Sequence, residues 1–304
     1  MPGAIGVDVG GTKLLAVADD GTEARALTPR GGPAIVEAVV AIVESLGGCD
    51  RLGVGIAGLV DRNGVLRVGP NLPGVIDFPF GRTLAERLDV GVAVDNDATC
   101  AMWAEHVRGA AVGADEAVLV TLGTGIGGGQ VVGGRLARGA NGFAGEPGHM
   151  VVDPRGPACP CGRRGCWERF ASGSGLGRLA RDAAAAGRAA AVVELAGGDP
   201  EAVRGEHVTA AALAGDRGAL AVMREFGWWV ALGIANLVNV LDPEVVVVAG
   251  GLAEAGELLL SPVRERYNEL VLAPAHRPPV RIVAAEVGEK AGAVGAMLLA
   301  DELR

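Results

Sequence analysis

Residues 146–168 read EPGHMVVDPRGPACPCGRRGCWE and hold three of the five cysteines and one of the four histidines of the chain. These residues are His149, Cys159, Cys161 and Cys166. Three thiolates and one imidazole make a complete tetrahedral ligand set for zinc, with no position left for a metal-bound water. The spacing therefore predicts a structural zinc site around which the rest of the chain is organised.

Glycines inside this stretch favour the zinc site over two alternatives. Gly162 and Gly165 allow the tight turns that bring three sulfurs together. Unrelated buried thiols rarely occur as Cys-x-Cys-x4-Cys beside glycines and arginines. A disulfide would leave one of the three thiols without a partner, and nothing in the sequence marks a secreted chain.

Composition limits the classes of function. The 304 residues suffice for two domains, and half of them are apolar. A net charge of -9 and a pI near 5.1 argue against a surface for nucleic acid or for an anionic membrane. No apolar run reaches the roughly 20 residues of a membrane span, and the N-terminus lacks the features of a signal peptide. We expect a cytoplasmic protein that binds neither nucleic acid nor membranes.

A glycine turn near the N-terminus is a candidate phosphate site. Residues 4–9 and 14–18 are predicted strands, and a strand on both sides excludes a P-loop and a Rossmann fingerprint, which need a helix. Glycine N–H groups and a hydroxyl at the tip can bind phosphate oxygens, and Asp8 could hold magnesium through water. An ordinary hairpin turn is the alternative. The turn consists of Gly10, Gly11, Thr12 and Lys13.

The same pattern recurs later in the chain. A strand at 117–122 precedes a glycine-rich turn at 123–129 and a second strand at 130–132, which indicates an internal duplication of a whole domain. Two facing turns could bind a polyphosphate from both sides, so the duplication strengthens the phosphate hypothesis. A buried strand at 244–248 precedes two further glycines, where an adenine or ribose could approach the backbone. The candidate residues are Thr124, Gly125, Gly127, Gly128, Gly250 and Gly251.

Asn96 and Asp97 follow a predicted strand at 92–94 and precede a predicted helix at 98–107. Ligands of α/β folds bind at this edge of the sheet. The alternative is that one of the two residues simply caps the helix. A loop-rich stretch is predicted at 61–81, and a terminal helix at 291–302 is predicted to pack on the first domain.

Six motifs together resemble the ROK family of repressors and sugar kinases, and within it the glucokinases most. The resemblance runs from residue 5 to the C-terminus, with the motifs in family order. The zinc stretch with its flanking glutamates is the specific part, since glycine turns alone are common. The motifs are Asp8-Val-Gly-Gly-Thr-Lys13, Asn96-Asp97, Gly123-Thr-Gly-Ile-Gly127, Glu146-Pro-Gly-His149, Cys159-x-Cys161-Gly-x-x-Gly-Cys166-x-Glu168 and Ala249-Gly-Gly251.

The resemblance implies a two-domain α/β fold of the actin-like, hexokinase type (ribonuclease H-like), with a cleft between the domains. We expect a smaller domain at 1–111 plus 290–304 and a larger one at 112–289 that contains the zinc stretch. The DNA-binding winged helix of the family's repressors is not expected, because only seven residues precede Asp8. A homo-oligomer, either a dimer or a tetramer, is also expected.

The implied reaction is the ATP-dependent phosphorylation of glucose at its 6-hydroxyl, which gives glucose 6-phosphate and ADP and belongs to glycolysis. Asp97 matches the catalytic base, and the expected cofactors are ATP, Mg²⁺ and a structural Zn²⁺. The implied sugar-binding residues are Asn96, Asp97, Glu146, His149 and Glu168. The implied nucleotide site comprises Asp8, the two glycine turns, Gly250 and Gly251, and the zinc ligands are His149, Cys159, Cys161 and Cys166.

Several alternatives stay open at this point. The substrate could be another hexose or an amino sugar, such as fructose or N-acetylmannosamine, because related kinases share the zinc stretch. Polyphosphate could replace ATP as the donor. A non-catalytic sugar sensor is disfavoured by the intact Asp97 and both glycine turns. A zinc-stabilised interaction module would release no ADP in the presence of sugar.

Overall fold

The structure, a computed structural model, describes residues 3–303. The chain forms two compact units. The first contains the residues up to Leu119, Gly129–Gly145 and the residues from Glu286 onward, and the second contains Val120–Gly128 and Glu146–Ala285. Residues 129–145, expected in the larger domain, thus lie in the first unit. No helix within residues 3–303 is long and apolar enough to cross a membrane.

The first unit is built on a five-stranded sheet with the order β3-β2-β1-β4-β8. β1, β2 and β3 pair antiparallel, whereas β1, β4 and β8 pair parallel, so the carboxyl ends of these last three strands lie at one edge. The strands up to this point are β1 (Ala4–Val9), β2 (Lys13–Ala18), β3 (Glu23–Leu27), β4 (Arg51–Ile56), β5 (Leu59–Val60), β6 (Leu66–Val68), β7 (Ile76–Phe78) and β8 (Gly91–Asn96). The helices are α1 (Gly32–Ser45), α2 (Phe80–Leu88) and α3 (Asp97–Arg108).

A second five-stranded sheet has the order β11-β10-β9-β12-β13. In chain order this repeats the arrangement of the first sheet, which agrees with the predicted duplication. Its strands are β9 (Ala117–Leu122), β10 (Ile126–Val132), β11 (Arg135–Leu136), β12 (Val245–Ala249) and β13 (Arg281–Ala284). The remaining helices are α4 (Glu168–Ala171), α5 (Gly173–Ala185), α6 (Ala190–Leu195), α7 (Gly205–Leu213), α8 (Arg217–Leu241), α9 (Glu257–Leu270) and α10 (Ala291–Asp301).

The stretch at 61–81 contains more regular structure than the sequence predicts. β5, β6 and β7 form a small antiparallel sheet, and α2 begins at Phe80. Strands of two or three residues are too short to show an alternation of apolar and polar side chains, so the sequence pattern resembles a loop. Asp61, only 8 % exposed, fixes this hairpin by pairing with Arg67.

Helix α10 returns to the first unit and packs on β1, β4 and α3. A Cβ at Gly6 of β1 would overlap the carbonyl of Ala293, and a Cβ at Gly53 of β4 would overlap that of Ala296. Glycine is required at both positions because the helix backbone lies directly on the sheet. The prediction that the terminal helix packs on the first domain is confirmed.

Glu105 of α3 fixes the point at which the chain returns to the first unit. Its side chain is fully buried and accepts the N–H groups of Ala110, Glu286 and Val287 at 2.8, 3.1 and 2.8 Å. A buried carboxylate is tolerated when hydrogen-bond donors surround it, and these three donors are all backbone groups. Glu105 therefore orders the segment that leads into α10.

Candidate functional site

The junction of β8 and α3 presents Asp97. Asn96 caps the helix: its Oδ1 accepts the N–H groups of Ala98 and Thr99 at 2.9 and 3.0 Å, and its Nδ2 donates to the carbonyl of Gly58 at 3.1 Å. Asp97 is the first helical residue, and its Oδ1 accepts the Ala98 N–H at 2.9 Å. The capping role that the sequence left open thus belongs to Asn96.

Asp8 and Asp97 form an electrostatically coupled pair of carboxyl groups in the first unit. Burial raises the pKa of Asp97, although the N–H of Ala98 opposes the shift. Burial, and then the nearby charge of Asp97, raises the pKa of Asp8 from 3.8 to about 7. Oδ1 of Asp8 is buried and has no hydrogen-bond partner within residues 3–303. Such an oxygen fits a magnesium ion and its water shell.

We expect Asp8→Asn to stabilise the ligand-free protein at neutral pH. A folded-state pKa above the unfolded value means that the contribution of Asp8 to stability is present in acid and is lost as pH rises through about 7. One pKa unit corresponds to about 1.4 kcal/mol. The free energy of unfolding of the variant, relative to that of wild type, should therefore rise by on the order of 3 kcal/mol between about pH 4.5 and pH 8. The melting temperatures of both proteins across this pH range, without nucleotide or magnesium, measure this difference in stability.

Asp20→Asn is the matched control for this experiment. Asp20 is exposed, and the N–H of Thr22 lowers the pKa of its carboxyl group, so the variant should show no gain that grows with pH. Parallel melting curves of wild type and Asp8→Asn over the whole range would contradict the prediction.

The first glycine turn has an ordered base and an exposed tip. The N–H of Gly10 donates to the carbonyl of Lys13 at 3.1 Å. Thr28, at the end of β3, donates its hydroxyl to the Gly10 carbonyl at 2.7 Å and its N–H to the Thr12 carbonyl at 3.0 Å. Gly11, Thr12 and Lys13 are exposed, so their polar groups are available to a ligand. Sequence reasoning missed Thr28, which gives no local signal.

The second turn is shorter than the sequence predicts. The N–H of Gly123 donates to the Gly125 carbonyl at 3.0 Å, and Thr124 is exposed at the tip. β10 already begins at Ile126, so Gly127 and Gly128 lie within the strand. The Gly127 N–H donates to the Thr121 hydroxyl at 3.0 Å, and Gly128 is buried.

Packing explains why the strand contains Gly129. A Cβ at Gly129 would lie 2.5 Å from Cβ of Met102 and 2.9 Å from the carbonyl oxygen of Ala98, both on α3. The absence of a side chain at Gly129 lets α3 approach the strand. A run of glycines in the sequence does not indicate this packing role. The predicted turn over 123–129 is therefore wrong in its second half.

Gly250 and Gly251 follow β12 and have different roles. Gly250 has φ +86°, and a Cβ there would lie 2.6 Å from the Leu122 carbonyl oxygen, so its glycine is needed for packing. Gly251 is exposed, and a Cβ there would contact no atom within 4 Å. Only Gly251 therefore leaves open space for a ligand against the backbone.

The four predicted zinc ligands lie together in the second unit. One donor atom from each lies within 4.8 Å of all the others. Sγ of Cys161 and Sγ of Cys166 are 3.5 Å apart, and Sγ of Cys159 is 3.9 Å from Nδ1 of His149. Zinc–sulfur bonds of about 2.3 Å in a tetrahedron place the ligand atoms about 3.8 Å apart. The donor set and its spacing therefore fit zinc.

The conformation of the loop brings these sulfurs together. Gly162 and Gly165 have φ of +88° and +70°, as expected from their predicted role in turning the chain. Trp167 is fully buried, and its Nε1 donates to the Trp229 carbonyl of α8 at 2.7 Å. This tryptophan, which sequence reasoning did not single out, anchors the loop to the longest helix.

The protonation of the thiols differs within the cluster. Burial raises the pKa of Cys159 and of Cys166. The backbone N–H of Arg163 lowers the pKa of Cys161, which is exposed. Zinc binds thiolates, so metal binding must displace the protons that burial holds on Cys159 and Cys166.

Glu168, the first residue of α4, lies between the metal cluster and the second glycine turn. Its Oε1 is 3.0 Å from Sγ of Cys159 and 3.7 Å from Nδ1 of His149. Its Oε2 lies 2.8 Å from the position that a Cβ would take at Gly125. Glu146 directly precedes the 3-10 turn Pro147–His149. The structure therefore brings Glu168 close to His149, Cys159 and Gly125.

Asp95 and Arg138 are functional candidates that sequence reasoning missed. Asp95 is 6 % exposed, and Nε of Arg138 donates to its Oδ2. The two residues are 43 positions apart in the chain, so no local pattern could indicate the pair.

Comparison with known proteins agrees with these observations. The family model described as "ROK family" matches residues 4–303. The glucokinase of Streptomyces coelicolor is 38 % identical over 309 residues, which cover 98 % of this chain and 97 % of the relative. The N-acetylmannosamine kinase of Escherichia fergusonii is 36 % identical over 308 residues, with 97 % of each chain covered.

A solved structure supports the same assignment. The ROK family glucokinase of Streptomyces griseus, in complex with glucose and AMPPNP, superposes with a TM-score of 0.87 at 38 % identity, over 98 % of this chain and 99 % of that one. The predicted actin-like, hexokinase-type fold class is confirmed by this similarity. The match over nearly the whole chain shows that this protein belongs to the ROK family.

Proposed function

We propose that this protein is an ATP-dependent glucokinase that transfers the γ-phosphoryl group of ATP to the 6-hydroxyl of glucose. The observation that carries the proposal is the β8–α3 junction, where Asn96 caps the helix and Asp97 does not. The relatives named glucokinase, and the similarity to a glucokinase bound to glucose and AMPPNP, support the substrate pair.

Asp97 is the proposed general base. The sugar hydroxyl must lose its proton as the bond to phosphorus forms, and a positioned carboxylate contributes about 10²–10⁴-fold to such a step. Burial raises the pKa of Asp97, which makes its carboxylate a better proton acceptor than a solvated one. After transfer the proton resides on the Asp97 carboxyl group.

Glu146, His149 and Glu168 are the proposed sugar-binding residues of the second unit. Carboxylates and imidazole suit a polyol, because each hydroxyl both donates and accepts a hydrogen bond. A zinc ion held by His149 and the three cysteines would have no open coordination position, so it would fix the loop and take no part in the chemistry. The loop would then hold Glu168 in place for the sugar.

The exposed tips of both glycine turns are the proposed phosphate site. The tips offer backbone N–H groups and the hydroxyls of Thr12 and Thr124. Asp8 would hold Mg²⁺ through water, and the metal would neutralise charge on the phosphates. Gly251 leaves room for the nucleoside. Gly127 and Gly128 are less suited to this role, because one N–H is already used and the other residue is buried.

We expect Gly10→Ala to weaken ATP binding more than glucose binding. A Cβ at Gly10 would lie 3.3 Å from the Lys13 carbonyl oxygen, which also accepts the Gly10 N–H, so the turn would have to shift. A shift that takes one exposed N–H of the tip out of reach of a charged phosphate costs about 1.5–3 kcal/mol, or roughly 10- to 100-fold in the KM for ATP. Steady-state kinetics with each substrate varied in turn measure the effect.

Gly125→Ala is the matched comparison for this variant. Its Cβ would lie 2.8 Å from Oε2 of Glu168, so the KM for glucose should rise together with that for ATP. A Gly10→Ala protein that loses glucose affinity as much as ATP affinity, with its fold intact, would refute the assignment of the first turn.

A screen of sugars and donors tests the proposed reaction. ADP release is measured with glucose, mannose, fructose, N-acetylglucosamine and N-acetylmannosamine, with ATP or polyphosphate as donor. Glucose with ATP should give the highest kcat/KM. A clear preference for N-acetylmannosamine, the substrate named for a 36 % identical relative, would replace the glucokinase proposal by the second candidate. We further propose that the enzyme acts in glycolysis, in the cytoplasm and as a homo-oligomer.

A further inference from the structure

We propose that Arg138 is a positioning residue for phosphoryl transfer: its ion pair with the buried Asp95 fixes the β8–α3 junction that presents Asp97. This inference rests on the proposed function, because it assumes that Asp97 is the base. Arg138 follows β11 and belongs to the first unit, as do Asp95 and Asp97.

Asp95 connects the ion pair to the junction. Its Oδ2 accepts Nε of Arg138, and its Oδ1 accepts the backbone N–H of Asn96 at 2.8 Å. Asn96 in turn caps α3 through the N–H groups of Ala98 and Thr99. A continuous series of hydrogen bonds therefore runs from the guanidinium group to the first turn of the helix that carries Asp97.

The backbone around Arg138 is itself held in place. Its carbonyl accepts the N–H of Ala144 at 3.1 Å, which closes the loop on itself. Arg62 donates to the carbonyls of Gly139 and Ala140, through Nε at 3.0 and 3.1 Å. The guanidinium group of Arg138 is thus presented from an ordered loop, as a positioning role requires.

Loss of the Arg138 charge should disturb the junction. Without Arg138, Oδ2 of a carboxylate that is 6 % exposed loses its charged donor, so the side chain must move toward water or toward another donor. Either change alters the acceptor that holds Asn96 and therefore the start of α3. A displacement of about 1 Å in a reacting group can cost on the order of 10²-fold in rate.

The test compares Arg138→Gln, Arg138→Lys and the double variant Asp95→Asn/Arg138→Gln. For Arg138→Gln we expect kcat to fall by about 10- to 100-fold, with the KM for ATP within about twofold of wild type, because the first glycine turn is untouched. Arg138→Lys retains the charge and should recover part of kcat. The double variant has no unpaired charge and should be more active than Arg138→Gln.

The pair of Asp61 and Arg67 provides the control. Asp61 is 8 % exposed and pairs with Arg67 at 2.7 Å in the small hairpin sheet. Neither residue belongs to the series of hydrogen bonds that connects Arg138 to α3. Arg67→Gln should lower the melting temperature without lowering kcat. A purely structural role of Arg138 would give the same result as this control.

The outcomes distinguish failure of the positioning role of Arg138 from failure of the proposed function. Wild-type turnover in Arg138→Gln, or a double variant no more active than Arg138→Gln, overturns the positioning role. If Arg138→Gln does not fold, Arg138→Lys decides: wild-type kcat overturns the inference, and a reduced kcat with an unchanged KM for ATP supports it. A wild-type protein that phosphorylates no sugar refutes the proposed function, and the inference with it.

Discussion

Asp97→Asn is expected to lower kcat by at least about 10²-fold while the protein stays folded. Asparagine keeps an oxygen for the Ala98 N–H but cannot take up the proton of the sugar hydroxyl. The helix cap is supplied by Asn96, so the substitution leaves the start of α3 intact. The affinity for sugar should change only modestly, because size and one acceptor are retained.

Asp216→Asn is the matched control for this variant. Asp216 caps α8 and accepts the N–H of Ala219 at 2.8 Å, so it is an aspartate at a helix start outside the proposed site. Asparagine caps a helix as well as aspartate does, and kcat should be unchanged. The measurements are kcat and melting temperature of both purified variants. A folded Asp97→Asn protein with near wild-type turnover would show that Asp97 is not the base.

Cys166→Ser is expected to abolish stoichiometric zinc binding and to weaken glucose binding. Cys166 is fully buried, and its Sγ is one of the four donor atoms grouped within 4.8 Å. Structural zinc contributes about 10–16 kcal/mol of binding free energy in small zinc peptides, so loss of one thiolate should remove several kcal/mol. The loop before Glu168 should then become mobile, and the KM for glucose should rise more than that for ATP.

Cys49→Ser controls for the loss of a buried thiol. Cys49 is 9 % exposed and is not one of the grouped ligands, so its serine variant should retain one zinc per chain. Zinc content by atomic emission and the melting temperature with and without a chelator distinguish the two variants. Full zinc content in Cys166→Ser, or full activity of zinc-free wild type, would contradict a structural zinc.

The sequence predicted the parts of the site that local chemistry determines. The predicted zinc ligands occur within 18 residues of one another, and a Cys-x-Cys-x4-Cys spacing beside glycines is rare outside a metal site. The first hairpin and the β8–α3 junction were also recognisable. A strand pattern ends just before Gly10, and near Asn96 a strand pattern gives way to a helix pattern. Both kinds of signal involve residues close in the sequence, so they can be recognised without knowledge of the tertiary structure.

Features that depend on distant contacts were not predictable. The ion pair of Asp95 and Arg138 joins positions 43 residues apart. The glycines of β10 were interpreted as a turn because the close packing of α3 on Gly129 is a tertiary contact that no local pattern shows. Helix α9 was not predicted at all, and Pro262 within it is a residue that normally argues against a helix.

The return of the chain to the first unit determines when that unit can fold during synthesis. One face of its sheet is covered by α10, which packs on β1 and β4, and Glu105 needs the N–H groups of Glu286 and Val287. A ribosome adds about 5–20 residues per second, so on the order of ten seconds separates the emergence of β8 from that of α10. During this interval the glycine-lined face of the sheet on which α10 packs stays uncovered. Premature termination near the C-terminus would consequently leave one face of the first unit's sheet without its covering helix, whereas the second unit would keep all of its elements.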